Sequence, residues 1–157
     1  MERILGIDPG SRVTGYGLVD ADRGRLVFVA CGVVKTTAQQ PLAYRLNEIF
    51  EGINEVVQLH RPVIAAIEEV FLATNPRSAL KLGHARGAAV VAAMQNGLTV
   101  YDYSPRAIKK GVVGYGQAGK SQVQHMVRVL LGLSGAPSAD AADALAVAIC
   151  HANQLQL

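Results

Sequence analysis

The chain has few cysteines, few charged residues and no long apolar run. Its two cysteines, Cys31 and Cys150, lie in apolar contexts, which predicts buried free thiols rather than a zinc ligand set. The longest uncharged apolar segment, Gly87 to Met94, is far shorter than the roughly 20 residues that cross a bilayer. The first residues have neither the basic nor the apolar region of a secretory signal. We therefore expect a soluble, cytoplasmic protein.

What is present is the composition of one globular domain. The chain has 157 residues, of which 50% are hydrophobic and 17% are charged, and it contains no low-complexity tract. A chain of this length buries about 70% of the surface that it exposes when unfolded, so it needs no cross-link to be stable. We therefore expect a single domain over residues 1–157 and not a disordered adaptor.

Charge is unevenly distributed along the chain. Residues 70–139 hold eight lysines and arginines but only one acid, Asp102, for a net charge of +7, whereas the remainder carries −4. One interpretation is a single positive surface suited to a polyanion such as nucleic acid. The alternative is a set of ordinary solvated side chains spread over several faces.

The N-terminal third of the sequence predicts three antiparallel strands and a helix. Apolar residues over 4–8, 14–19 and 26–30 indicate the strands, with a turn over 20–24. Pro41 opens a helix whose apolar residues recur at the helical period, and residues 60–62 end it. The first strand carries Asp8 straight into a Pro-Gly turn, so we expect this carboxylate at the rim of the sheet.

A second carboxylate is expected at the same rim. Residues 63–67 form a continuous apolar run, typical of a strand buried on both faces, which ends at Glu68 and Glu69. The preceding helix acts as a crossover, so this strand should run parallel to the first strand and beside it. Asp8 and Glu68 would then lie at one end of the sheet, where ligands bind in open α/β folds.

The rest of the sequence predicts one more strand and four helices. They follow in the order helix 76–95, strand 98–103, helix 105–110, glycine-rich mobile loop 111–120, helix 121–133 and helix 139–152. Gly83 and Gly87 share one face of the first of these helices, which is either core or a subunit contact. Together the elements predict an α/β fold: a five-stranded mixed sheet, with three antiparallel strands plus parallel strands, flanked by helices on both faces.

The last helix carries Asp140 and Asp143, which lie on one face because they are three residues apart. Acids in a first turn can simply complement the helix dipole, which explains Asp140 better than Asp143, since Asp143 lies in an alanine-rich surface. Alternatively, both join Asp8 and Glu68 in a carboxylate cluster whose mutual repulsion requires a divalent cation. Oxygen-only ligands favour Mg²⁺ or Mn²⁺ over zinc, and two such ions suit phosphodiester cleavage.

Five motifs, in order along essentially the whole chain, resemble those of the RuvC family of bacterial Holliday-junction resolvases. The motifs are Gly6-Ile7-Asp8-Pro9-Gly10-Ser11, Ala66-Ile67-Glu68-Glu69-Val70-Phe71, Ser78-Ala79-Leu80-Lys81-Leu82-Gly83, Lys120-Ser121-Gln122-Val123-Gln124 and Asp140-Ala141-Ala142-Asp143-Ala144-Leu145-Ala146. The resemblance implies a ribonuclease-H-like fold, a homodimer and symmetric nicking of two strands of like polarity in a four-way DNA junction during recombination and repair. It also implies dependence on Mg²⁺, with two ions per subunit and Mn²⁺ as a substitute.

The resemblance further assigns roles to individual residues. The catalytic and metal-binding carboxylates would be Asp8, Glu68, Asp140 and Asp143. The basic residues near the scissile phosphate would be Lys109 and Lys120. Phe71 would insert at the junction crossover, although a core phenylalanine is the alternative for this position. The more loosely assigned DNA contacts are Arg77, Lys81, Lys110, Arg86 and Arg128, and a branch-migration motor complex is an implied further partner.

Two other functions compete with a resolvase. Actin-like and sugar-kinase ATPases also begin with a strand that ends in Asp-x-Gly near phosphates, but they clamp the nucleotide between two domains, and 157 residues supply only one. The second competitor is a non-catalytic junction-binding protein on the same fold. The presence of all four carboxylates argues against that alternative.

Overall fold

The computed structural model describes residues 1–70 and 75–154, which build a five-stranded sheet in the order β3-β2-β1-β4-β5. The strands are β1 (Glu2–Asp8), β2 (Val13–Asp22), β3 (Arg25–Lys35), β4 (Ile64–Glu68) and β5 (Thr99–Tyr103). β1 pairs antiparallel with β2, and β2 with β3, whereas β1 pairs parallel with β4, and β4 with β5. The predicted mixed sheet is therefore confirmed.

Helices cover both faces of this sheet, as the sequence predicts. They are α1 (Leu42–His60), α2 (Pro76–Gln95), α3 (Pro105–Val113), α4 (Lys120–Leu131) and α5 (Ala139–Gln154). The side chains of Leu5 and Ile7 pack into a core with α1 and α2, whereas Ile4 on the opposite face packs with α3, α4 and α5. None of these helices combines the length and the hydropathy that a membrane crossing requires.

The parallel pairing of β1 with β4 brings the ends of both strands to one edge. Ile7 is in register with Ile67, so the next residues, Asp8 and Glu68, lie side by side. Side chains alternate between the two faces of a strand, and both carboxylates therefore point to the face that carries α3, α4 and α5.

Three glycines let α5 lie directly on this face of the sheet. Gly6 of β1 is paired with Gly17 of β2, and Asp8 is paired with Gly15. A Cβ atom added to Gly6 would stand 2.8 Å from the Ala148 nitrogen, and one added to Gly15 would stand 2.6 Å from the Asp140 carbonyl carbon. Both are closer than real Cβ contacts, so only glycine allows the helix backbone to approach so closely. We call Gly6, Gly15 and Gly17 the glycine platform.

Several predicted boundaries are wrong: the third strand continues to Lys35 and not to residue 30, and the helix expected over 121–133 spans Lys120–Leu131. Two further boundaries differ for a clear physical reason. The turn expected over residues 20–24 is only Arg23-Gly24, because Asp20 stays in β2 as the buried partner of Arg3, whose Nε donates to Asp20 Oδ1 at 2.8 Å. The glycine-rich loop begins at Gly114 and not at Gly111. Gly111 lies inside α3, where the absence of a side chain lets the helix pack against Cys150 of α5.

The two cysteines are free thiols, as predicted. Cys150 is fully buried and its Sγ donates to the Ala107 carbonyl oxygen at 3.4 Å, whereas Cys31 is partly buried. Burial raises the pKa of both thiols, to about 11 for Cys150. Both are therefore protonated, inert packing groups at neutral pH.

Candidate active site

Asp8 and Glu68 form a hydrogen-bonded pair of carboxyl groups at the ends of two neighbouring central strands. Burial, followed by the neighbouring charge of Glu68 and a hydrogen bond to it, raises the pKa of Asp8 to about 8. Burial also raises the pKa of Glu68, while the hydrogen bond with Asp8 opposes that rise. The pair consequently holds a proton at neutral pH, with Asp8 donating to Glu68, because two adjacent half-buried carboxylates cannot both ionise freely.

The other two carboxylates come from the first turns of α5. Ser138 caps this helix, with its Oγ accepting from the Ala141 nitrogen at 3.3 Å. The Asp140 carbonyl packs over Gly15, the strand partner of Asp8, which places the start of the helix beside β1. The charges of both Asp140 and Asp143 contribute to the raised pKa of Asp8. The glycine platform thus brings the first turns of α5 close enough to β1 for the charges of Asp140 and Asp143 to act on Asp8.

Lys120 supplies a positive charge to this cluster. It is the first residue of α4, and its Nζ lies 3.1 Å from Oδ2 of Asp143. The hydrogen bond and the charge of Asp143 raise the pKa of Lys120. Burial raises the pKa of Asp143, and Lys120 opposes that shift. Without metal ions, the Lys120 ammonium and the proton shared by Asp8 and Glu68 compensate part of the negative charge of the four carboxylates.

A cleft of about 240 Å³ opens beside the cluster. Its lining combines Glu68 and Asp143 with the two lysines that the sequence resemblance assigned to the scissile phosphate, Lys109 and Lys120. Lys109 reaches the cleft from α3, whose N-terminal Ser104 accepts a hydrogen bond from the Ala107 nitrogen at 3.1 Å. Ile108 and Val123 form the apolar wall. Acids and bases thus meet in one concave site, a common arrangement in catalytic clefts.

The chemistry of the donors fits a hard divalent cation. Four carboxylates supply only oxygen ligands, and the charges of Glu68, Asp143 and Asp140 add to the effect of burial in raising the pKa of Asp8. Within residues 1–70 and 75–154, no three carboxylate, histidine or cysteine side chains are arranged as a ready ligand set.

The predicted DNA contacts on α2 and α3 other than Lys109 lie outside the lining of the cleft. Arg77 and Lys81 are exposed on the first turns of α2, which begins just after the end of β4, and Lys110 is exposed on α3. None of these three residues is among the described residues that line the cleft. Phe71 lies outside the described residues.

One base of the proposed DNA path has a different role. Arg86 of α2 donates from Nε to the Glu68 carbonyl oxygen at 3.1 Å, and its Nη2 forms an ion pair with Asp102. It therefore ties the ends of β4 and β5 together, and its guanidinium is already engaged within the protein.

The sheet order, the four carboxylates at the ends of β1 and β4 and on α5, and the two lysines of the cleft define a class. They are the features of a metal-dependent nuclease with a ribonuclease-H-like fold.

Comparison with known proteins places the chain more narrowly. Residues 4–151 match the family model of RuvC, the crossover junction endodeoxyribonuclease. The RuvC crossover junction endodeoxyribonuclease of Colwellia psychrerythraea is 55% identical over 152 residues, which cover 96% of this chain and 87% of that protein. The corresponding protein of Geobacter sulfurreducens is 54% identical over 151 residues, which cover 96% of this chain and 92% of that protein.

The three-dimensional comparison agrees. The structure of Thermus thermophilus RuvC in complex with Holliday junction substrate superposes with a TM-score of 0.93 at 38% sequence identity, covering 99% of this chain and 96% of that chain. The chain belongs to the RuvC family of crossover junction endodeoxyribonucleases. The resemblance noted from its five motifs is thereby confirmed.

Proposed function

We propose that the chain resolves four-way (Holliday) DNA junctions by paired symmetric nicks, in homologous recombination and DNA repair. The observation that carries this proposal is the convergence of four carboxylates next to a lysine-lined cleft. The chain shares 55% identity with a crossover junction endodeoxyribonuclease across nearly its whole length, which adds the substrate class to the chemistry of the site.

The metal ligands in this proposal are Asp8, Glu68, Asp140 and Asp143. Mg²⁺ is the expected ion, with two per subunit and Mn²⁺ as a substitute, because oxygen-only sites prefer hard cations. The bound ions supply electrostatic stabilisation to the attacking and leaving oxygens of the phosphodiester. The chain would contribute the ligands and holds them on the ends of two strands and on one helix.

The lysines of the cleft have a separate task. Lys109 and Lys120 line the cleft beside the carboxylates. A scissile phosphate that binds there would be repelled by the four carboxylates if no positive charge were present. An ammonium group neutralises that phosphate and lowers the electrostatic barrier to its approach. Around this centre, Phe71, Arg77, Lys81 and Lys110 remain the proposed contacts to the rest of the junction.

A homodimer is the proposed assembly. Along the outer face of α2 run Leu80, Gly83, Gly87, Val91 and Met94, spaced three or four residues apart, all of them exposed. We call these five residues the α2 stripe. A Cβ atom at Gly83 or Gly87 would meet nothing within 4 Å, so the core alternative for these glycines is wrong and the subunit contact remains. A two-fold dimer would present two equivalent sites to two equivalent strands.

Three further expectations complete the proposal. We treat residues 1–157 as a single nuclease domain, since the helices of both sheet faces share one core on each side. We place the protein in the cytoplasm with the DNA on which it acts. A branch-migration motor complex is the proposed partner that delivers junctions, on the basis of the family resemblance.

The test is cleavage of a synthetic four-way junction by the purified protein in Mg²⁺. We expect two nicks at symmetric positions, little cleavage of a linear duplex of the same sequence, and no nicking in EDTA. Asp8→Asn should bind the junction with unchanged affinity in EDTA but fail to nick it in Mg²⁺.

Two outcomes would overturn the proposal. ATP hydrolysis without DNA would support the kinase-like alternative for this fold. A wild-type protein that binds junctions but never cuts them in Mg²⁺ or Mn²⁺ would leave the non-catalytic binding protein as the better description.

A further inference from the structure

Hydrogen bonds hold the turn that follows Asp8, whose residues 9–11 are partly buried. Gly10 approaches Val13 so closely that a Cβ atom would stand 3.3 Å from the Val13 carbonyl carbon and closer still to its oxygen. The buried hydroxyl of Thr14 accepts from the Gly10 nitrogen at 3.2 Å and donates to the Gly10 oxygen at 2.9 Å. These two hydrogen bonds across the turn fix its shape.

A second set of hydrogen bonds ties the turn to the end of β3 and to α1. The Thr36 hydroxyl donates to the Ser11 oxygen at 2.7 Å, and the Thr36 nitrogen donates to the Arg12 oxygen at 3.0 Å. From α1, Arg45 Nη2 also donates to the Ser11 oxygen at 2.7 Å. The backbone carbonyls of residues 10–12 are therefore all occupied by the protein, and the turn is rigid before any ligand arrives.

The side chains carried by this rigid turn and its neighbour are basic. Arg12 is exposed on the turn, and Lys35 is exposed at the end of β3, where it pairs in register with Val13. Within residues 1–70 and 75–154, neither takes part in an ion pair. Two cations thus stand without a protein counter-charge at the end of the sheet that carries the four carboxylates.

Arg12 and Lys35 lie on the other side of Asp8 from the cleft that Lys109 and Lys120 line, which we call the lysine cleft. In the order β3-β2-β1-β4-β5, Asp8 is central, Glu68 and the lysine cleft lie toward β4, and Arg12 and Lys35 lie toward β2 and β3. The DNA strand that is cut must pass across the carboxylates, and contacts are needed on both sides of the cut to hold it. The earlier assignment of DNA contacts covers only residues 70–139 and leaves the β2–β3 side without any.

We propose that Arg12 and Lys35 form a second phosphate-binding rim, which holds the DNA backbone on the side of Asp8 opposite the lysine cleft. This inference rests on the proposed function, since its ligand is the DNA strand that the carboxylates cut. The rigid turn gives Arg12 a fixed starting point, so that less chain entropy is lost when it contacts a phosphate. Phosphate contacts of this kind position the substrate without reading its sequence.

The experiment compares two pairs of substitutions at opposite ends of the same two strands. The rim pair is Arg12→Gln with Lys35→Gln, and the matched control pair is Arg23→Gln with Arg25→Gln in the hairpin between β2 and β3. Each pair removes two positive charges from exposed positions. Junction dissociation constants are measured in EDTA over a range of salt concentrations, and nicking rates in Mg²⁺. Thermal melting of every variant establishes that it is folded.

We expect the rim pair to weaken junction binding by about tenfold at moderate salt and to lower the salt slope by roughly 0.9 for each lost phosphate contact. The control pair should change the dissociation constant by no more than about twofold, which is the general effect of net charge. Arg12→Lys should restore most of the binding that Arg12→Gln loses, because the contact needs a cation and not a particular fold of the turn.

The outcomes separate the rim from the proposed function. If the wild type nicks junctions but the rim and control pairs bind alike, the rim is wrong and the resolvase remains. If the wild type cuts no junction, yet the rim pair still weakens binding to DNA more than the control pair does, the function is wrong and the rim stands. Equal loss of binding for Arg12→Lys and Arg12→Gln would also overturn the rim.

Discussion

The Nζ atom of Lys120 lies 3.1 Å from Oδ2 of Asp143, although the lysine side chain is 67% exposed and the aspartate side chain only 21%. The lysine thus reaches inward from solvent to a half-buried carboxylate that the proposed ions also need. Under the proposed function, this ammonium is a counter-charge to Asp143 in the metal-free protein and a phosphate contact when metal ions and DNA are bound. Two opposite effects of its removal follow from this dual position.

Lys120→Ala should slow junction nicking at saturating Mg²⁺ by about 10- to 100-fold, because a charge-stabilising group beside the phosphate is lost. The same variant should reach half of its own maximal rate at a lower Mg²⁺ concentration than the wild type, since Asp143 no longer has a competing partner. A Mg²⁺ titration of single-turnover rates measures both quantities. Lys120→Arg is the control and should retain more of the rate. An unchanged maximal rate for Lys120→Ala would contradict the phosphate role.

The pKa of Asp8 leads to a prediction about pH and stability. An aspartate in an unfolded chain titrates near pH 4, whereas the pKa of Asp8 in the folded protein is about 8. Between these values the folded state binds a proton that the unfolded chain has released, so the contribution of Asp8 to stability falls as the pH rises through this window and is constant above it. Metal-free wild type should therefore lose stability from pH 5 to pH 8 at this site.

Asp8→Asn removes that dependence. In EDTA it should be more stable than the wild type at pH 8 by on the order of 2 kcal/mol, about 4–8 °C in Tm, with a much smaller difference at pH 5. Calorimetry at the two pH values measures this. Mg²⁺ should then raise the Tm of the wild type more than that of Asp8→Asn. Parallel melting curves for the two proteins across the pH range would mean that Asp8 is ionised in the metal-free fold.

The glycine platform gives a packing prediction. Gly15→Ala would drive a Cβ atom into the Asp140 carbonyl and push the start of α5 off the sheet. We expect a loss of unfolding free energy of at least about 2 kcal/mol and a loss of nicking larger than the stability loss explains, because Asp140 and Asp143 move with the helix. Urea unfolding and nicking assays at low temperature measure the two effects. Gly135→Ala is the matched control, since a Cβ atom there meets nothing within 4 Å.

How much of this site the sequence could predict depends on the range of each signal. The carboxylates at 8 and 68 were predictable because a strand, a crossover helix and a second buried strand fix parallel neighbours. The apolar side of the last helix, opposite its two aspartates, predicted that this helix packs over the same end of the sheet. How closely it approaches was not predictable, because the approach depends on Gly15 and Gly17 facing the helix. Glycines in a predicted strand, taken alone, indicate only a less stable strand.

Arg86 and Arg12 show why a count of charges along the chain does not locate a DNA surface. Arg86 belongs to the basic segment, yet its guanidinium pairs with Asp102 and donates to the Glu68 carbonyl oxygen. Arg12 fell outside the basic segment and was given no role, yet it stands on the turn next to Asp8. Net charge along a chain says nothing about which side chains the fold turns inward, so only the tertiary structure separates the two cases.

The α2 stripe leads to the last prediction, on assembly. Gly87→Glu places a charge in the middle of the exposed apolar residues of α2 without a clash inside the protomer, because nothing lies within 4 Å of the added Cβ. If the stripe is the dimer contact, two such charges would face each other across the two-fold axis, and desolvating them costs several kcal/mol. We expect the wild type to sediment at twice its 16.6 kDa chain mass at micromolar concentration and Gly87→Glu to sediment as a folded monomer. Gly135→Glu, on a loop with equal space, is the matched control and should remain dimeric.

On a four-way junction the Gly87→Glu monomer should make single, unpaired nicks, since the two cuts would no longer be coupled in one complex. A wild type that is monomeric at these concentrations, alone and on the junction, would show that the stripe has a different partner.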